Sequence, residues 1–143
     1  MANARLGYRG YVTSRPFMGE RVPQHVQNLV IRDYAKRNGL VYKLSATEYA
    51  MPGSDMMLMQ VLDELPELEG VICYSLFQLP VNAECRRHVF AEILRTGSRL
   101  HAAVEQMVVA SAEDVELAET IWSVRSALDA CPSAAEMLAA TGA

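Results

Sequence analysis

The chain has no glycine-rich phosphate loop, no closely spaced cysteine or histidine pair, no apolar run long enough to span a bilayer and no excess of basic residues. Each absence removes a class of function. Three cysteines scattered over 143 residues, Cys73, Cys85 and Cys131, make neither a disulfide framework nor a zinc site, and they point to reduced thiols in a cytoplasmic protein. A formal charge of −4 argues against a general nucleic-acid binder, which needs a basic face to neutralise phosphates, so no nucleic-acid partner is expected. Neither a charged-then-apolar leader nor a bilayer-length segment is read at any point, so no membrane is expected.

What remains is an ordinary globular composition. With 51% apolar residues the chain can bury a core of its own, and one domain over residues 1–128 is expected. The tail 129–143 is rich in alanine and interrupted by a proline, and reads as a short helix or as disordered.

Residues 6–13 predict a first strand, with Gly7 and Gly10 marking the close approach of another backbone or of a ligand. A polar elbow follows, and Pro23 suits the first turn of a helix because it has no N–H to leave unpaired. Val26, Leu29, Val30 and Tyr34 form that helix's apolar stripe, and Gly39 closes it. Residues 40–45 predict a short strand, followed by a loop holding Glu48 and Tyr49. Ser54 or Asp55 caps a helix over 56–65. The unbroken apolar run 71–74 marks a strand buried on both faces, and a helix over about 82–96 ends at Gly97. Residues 99–103 predict a fourth strand, which 104–109 either extends or replaces. A last helix begins near Ser111 and turns Val115, Ala118, Ile121, Trp122 and Leu128 to one side.

Strands alternating with helices of this length imply a three-layer α/β/α architecture around a mostly parallel sheet of four to five strands. Parallel strands send the loops after Thr13, Ser45, Ser75 and the fourth strand to one edge, where such sheets hold ligands. The first elbow brings Ser14, Arg15, Arg21, Gln24, His25, Gln27 and Asn28 there, and a helix start with arginines beside it favours an anion. Glu48 among apolar neighbours is a candidate acid or base, with Tyr49, Ser75 and Gln78 as binding groups. His101 and Glu105 are further proton-handling candidates. None of these has the spacing of a metal site, so neither a metal nor a cofactor is expected.

Two resemblances add to this reading. GYVTS at 10–14, QNL at 27–29 running to Gly39, 62–75 with its GVICYS end, and RTG at 95–97 resemble the serine-recombinase (resolvase) catalytic domain. That implies a resolvase-like, more broadly flavodoxin-like, fold with Ser14 in the nucleophile position. The family's chemistry also uses arginines before the serine and after the third strand; here Val12 or Thr13 and residues 76–80 supply none.

RGY at 9–11, SRPFMG at 14–19, RVPQHVQN at 21–28, SATEYAMPG at 45–53 and LDELP at 62–66 resemble the bacterial sporadic carbohydrate cluster proteins, over nearly the whole chain to Arg125. This second resemblance implies work on an unusual sugar. The expectation is therefore a cytoplasmic, cofactor-independent isomerase or lyase acting on a sugar phosphate or nucleotide-linked sugar. Arg15, Arg21, Gln24, Gln27, Asn28, Tyr49, Ser75 and Gln78 would bind the substrate, while His25, Glu48, Ser14, His101 and Glu105 would handle the chemistry. The alternatives are a non-catalytic partner of a carbohydrate-pathway enzyme and phosphodiester chemistry of the recombinase type. A homodimer or higher homo-oligomer is expected from the resolvase likeness.

Overall fold

A computed structural model describes residues 5–51 and 53–130; of the expected tail 129–143, residues 129 and 130 belong to the last helix and the rest, with Cys131, lies outside the described residues. Strands and helices alternate as β1 (Tyr8–Thr13), α1 (Gln24–Arg37), β2 (Tyr42–Glu48), α2 (Met56–Glu64), β3 (Gly70–Cys73), α3 (Ala83–Arg95) and β4 (Arg99–Ala102). A short β5 (Met107–Val109) and the long α4 (Ala112–Ala130) complete them. The sheet order is β2-β1-β3-β4-β5, with the first four strands parallel and β5 antiparallel to β4. This is a three-layer α/β/α fold around a mixed, mostly parallel sheet. Among the described residues no helix is long and apolar enough to cross a membrane.

The two faces of the sheet are filled by alternating residues of each strand, as strand geometry requires. Tyr8 and Val12 of β1 pack with Ile31, Tyr34 and Ala35 of α1 on one face. Tyr11 of β1 packs with residues of α2, α3 and α4, including Leu58, Val61, Phe90 and Trp122, on the other. All four residues of β3 are buried, which its unbroken apolar sequence anticipates.

Four features differ from the sequence expectation. The buried stripe of α1 is Gln27, Ile31, Tyr34 and Ala35, while Leu29 is 61% exposed, so the helix is rotated from its apolar pattern to bring an amide inward. β2 starts at Tyr42 and continues to Glu48, because Ala46 and Glu48 alternate inward and pair with Tyr11 and Thr13 of β1. After Ala102 the chain neither extends β4 nor replaces it; it reverses through Gln106, whose φ of 52° is left-handed, and returns antiparallel as β5. Leu128, expected inward on α4, is exposed, whereas Ala118 and Trp122 are buried.

Candidate functional site

At the carboxyl end of β1 two buried glutamines join two loops. Gln27 of α1 accepts a hydrogen bond from the Thr13 N–H (3.1 Å) and donates to the carbonyls of Thr13 and Val22 (2.8 Å each). Gln78 donates to the Gln27 side-chain oxygen (2.6 Å) and the Thr13 hydroxyl (3.2 Å), and accepts from the Tyr74 and Ser75 N–H groups. Both side chains are at most 2% exposed. Buried amides are tolerated where their donors and acceptors are engaged, and here that engagement fixes the elbow against the β3 loop. Ser75 donates to Glu105 (2.8 Å), whose other oxygen accepts from the Leu76 N–H (2.8 Å), tying the turn after β4 to the same edge.

Glu48, 1% exposed, accepts from the Tyr11 hydroxyl, the Tyr49 N–H, the Ser54 hydroxyl and the Met57 and Leu58 N–H groups, at 3.0–3.3 Å. Neither Ser54 nor Asp55 caps α2 through its side chain; the Glu48 carboxylate bonds the first-turn N–H groups instead, where the helix dipole favours negative charge. Burial, with the Glu48 carboxylate adding to it, pushes the Tyr11 hydroxyl well above its ordinary value and keeps it a donor. Arg15 donates to the carbonyls of Met51 and Ser54 and pairs with Asp55 (3.4 Å), so its guanidinium holds the β2–α2 loop. Burial raises the Asp55 pKa against the opposing pull of Arg15.

The other face of the elbow is open. Ser14, Arg21, Val22, Pro23 and Gln24 line a cleft of 390 Å³ at the start of α1. No side chain caps this helix and no acid stands in its first turn. The earliest N–H groups with a backbone acceptor are those of Val26 and Gln27, both to the Pro23 carbonyl. Ser14 donates only weakly, to the Glu48 carbonyl at 3.3 Å, and Arg21, Gln24 and His25 are exposed.

Ser14, Arg15, Gln27, Glu48, Ser75, Gln78 and Glu105 thus meet at one edge. Two candidates do not. Asn28 accepts from Ser45 (2.6 Å), beside Tyr42, under β2. His101 packs edge-on against Tyr8 and Tyr34, toward the opposite end of β1, and its Nδ1 shares a 2.6 Å hydrogen bond with the Tyr34 hydroxyl. Tyr49 is half-exposed and reaches the group through its backbone N–H. The sequence reading missed Phe17, Met18 and Asp55 at this edge. Only Gly19, at the second position of a tight turn after Met18, signals the first two.

Comparison with solved structures bears on the fold. The catalytic-domain structure of TP901-1 integrase superposes with a TM-score of 0.53 at 15% identity, covering 85% of this chain and 93% of that one. A resolvase family site-specific recombinase from Streptococcus pneumoniae gives 0.59 at 9% identity, covering 83% and 88%. The fold is resolvase-like. No protein-family model and no curated protein matches the chain.

These likenesses correct the functional expectation. These two solved chains are an integrase catalytic domain and a resolvase family recombinase, not enzymes of sugar modification, so the cofactor-independent isomerase or lyase acting on a sugar phosphate or nucleotide sugar is withdrawn. The geometry agrees: the Glu48 carboxylate is taken up by five donors and His101 is turned away, leaving the two without a common ligand. Among the described residues no group of three acidic, histidine or cysteine side chains could hold a metal ion. The exclusion of nucleic acid as a partner is corrected on the same ground.

Proposed function

We propose that this chain is a resolvase-fold domain that binds the phosphodiester backbone of a nucleic acid at the start of α1. The observation that carries the reading is the uncapped, acid-free first turn of α1, opening on a cleft lined by Ser14 and Arg21. Free N–H groups and the dipole attract a phosphate, Arg21 supplies a full charge, and the Ser14 hydroxyl can exchange its long bond to a carbonyl for a phosphate oxygen. Arg15, engaged by the β2–α2 loop, acts as the wall that keeps the elbow in shape. The resolvase-like fold supports the ligand class, since two solved chains similar to it are a recombinase and an integrase.

The unit that carries this role is the single domain over residues 1–128. The long motifs shared with the sporadic carbohydrate cluster proteins support placing the chain in that group, as a branch of the resolvase fold. Reduced Cys73 and Cys85 fit a cytoplasmic location. Binding of a fluorescein-labelled single-stranded oligodeoxynucleotide, followed by anisotropy over a salt series, tests the proposal. With few phosphates contacted, log K should fall with log salt at a slope of about −1, and Arg21→Ala or Ser14→Val should weaken binding by about tenfold. No binding at low salt, or equal affinity in both variants, would overturn it.

A further inference from the structure

A second opening lies on the other side of the same elbow. The chain leaves β1 toward β2 and leaves β3 toward β4, so the crevice between the carboxyl ends of these adjacent strands is the point where the strand order reverses. It holds a cavity of 420 Å³ with Thr13 and Gln78 at its base. Phe17 and Met18 of the elbow and Phe77 and Pro80 of the segment after β3 line its walls.

The elbow's wall is a small flap. Phe17 and Glu20 exchange two backbone hydrogen bonds (2.9 and 3.0 Å) across a two-residue turn, and both turn residues, Met18 (φ 49°) and Gly19 (φ 76°), are left-handed. Glycine meets that demand freely, whereas methionine is strained there. What holds Met18 is its packing against the core and the Arg125 guanidinium of α4, which donates to its carbonyl at 3.3 Å. Strain kept by surrounding structure is a mark of functional segments.

The chemistry of the walls selects the ligand. The charges at the rim cancel, because Arg15 is paired with Asp55. At the base the Gln78 amide is already engaged through both its nitrogen and its oxygen. An occupant is therefore held by contact with aromatic rings, a thioether and a proline rather than by charge. That describes an uncharged planar ring. Ser14 and Arg15 are consecutive, and Ser14 borders the α1 cleft while Arg15 borders the cavity.

We propose that the cavity receives the base of an unpaired nucleotide whose phosphate lies in the Ser14 cleft, so that the ligand of this domain is single-stranded. The assignment rests on the phosphate-binding reading for the position of the backbone, and it answers the acidity of the chain. A protein of formal charge −4 gains little from phosphate neutralisation, and base stacking supplies sequence-tolerant affinity instead.

Cys85 lines the cavity and is exposed, Cys73 is fully buried, and the sole tryptophan, Trp122, lies 5.2 Å from the Phe77 ring. Alkylation by N-ethylmaleimide in a Cys131→Ser background, together with Trp122 fluorescence, reads occupancy directly. An oligodeoxyadenylate should slow Cys85 alkylation by about tenfold and change the fluorescence, while an abasic oligomer of equal length should bind without protecting. Cys85→Phe, plugging the mouth from an exposed helical position, should weaken oligodeoxyadenylate alone. Equal alkylation with and without saturating oligodeoxyadenylate would overturn the base site while leaving salt-dependent, Arg21-dependent binding intact. If no oligomer binds, the phosphate reading fails, and protection of Cys85 by adenosine alone then decides the cavity.

Discussion

His101 sits in β4 with its imidazole 7% exposed, edge-on to Tyr8 and Tyr34. One ring nitrogen bonds the Tyr34 hydroxyl; Nε2 is buried and finds no protein partner among the described residues. Burial, reinforced by the Arg99 charge, lowers its pKa to about 4, so it stays neutral in the folded chain at pH values where the unfolded chain's histidine, near 6.5, is already protonated. Between these values the unfolded state binds the extra proton, and stability therefore falls as the pH drops from 6.5 toward 4. His101→Phe, which keeps the edge-on ring contacts, should flatten that part of the urea-midpoint profile by on the order of 2 kcal/mol. An unchanged slope would mean that the proton is taken up elsewhere. Glu48 gives the complementary lesson about reading single residues. Its burial was not legible: the apolar residues that follow it, Ala50 and Met51, are themselves exposed, its donors at Met57 and Leu58 lie nine and ten positions onward, and no local pattern announces a carboxylate that caps a helix across a loop.

At the scale of elements, α1 shows why an apolar stripe can mislead. Its hydrophobic pattern favours Leu29, yet Gln27 turns inward, because the amide satisfies the backbone of Thr13 and Val22 and meets Gln78. The helix's existence and ends were legible; its rotation depended on a partner 51 positions away. The glycines of the strands were more informative. A Cβ on Gly70 would lie 1.9 Å from the Arg99 carbonyl oxygen, which belongs to the neighbouring strand and cannot move without breaking the β3–β4 pairing. On Gly10 it would lie 2.1 Å from the Ser45 hydroxyl, the end of a short side chain that can rotate away at the cost of its bonds to Asn28 and Tyr42. Gly70→Ala should therefore destabilise the protein by about 3 kcal/mol or more and Gly10→Ala by about 1–2 kcal/mol, the difference between backbone and side-chain overpacking. Thermal denaturation checks the order, and equal losses would show that β4 gives way as easily as Ser45 does.

Across the whole molecule, alternation of strands and helices was enough to expect a parallel sheet with its loops at one edge, because parallel pairing demands long crossovers. The final reversal into β5 was not legible, since Gln106 occupies a left-handed position that glycine or asparagine would have signalled. Nor was the bracing by α4, which joins residues far apart in the chain. From this helix Arg125 reaches the Met18 carbonyl on one wall of the crevice, and Glu119 holds Arg86 of α3 against the other. Arg86, 6% exposed, also donates to the Pro80 and Val81 carbonyls (3.1 Å each) and lies 4.3 Å from the Trp122 ring centroid. Removing the guanidinium strands two carbonyls and a half-buried carboxylate together, whereas removing the Glu119 charge leaves Arg86 its carbonyls and the indole face. Arg86→Met should cost about 3 kcal/mol in urea unfolding followed by Trp122 fluorescence, and Glu119→Gln about 1 kcal/mol. The double variant should fall short of their sum, because the two residues share one interaction. Equal single losses, or strict additivity, would show that α4 docks through its apolar face alone and braces neither wall.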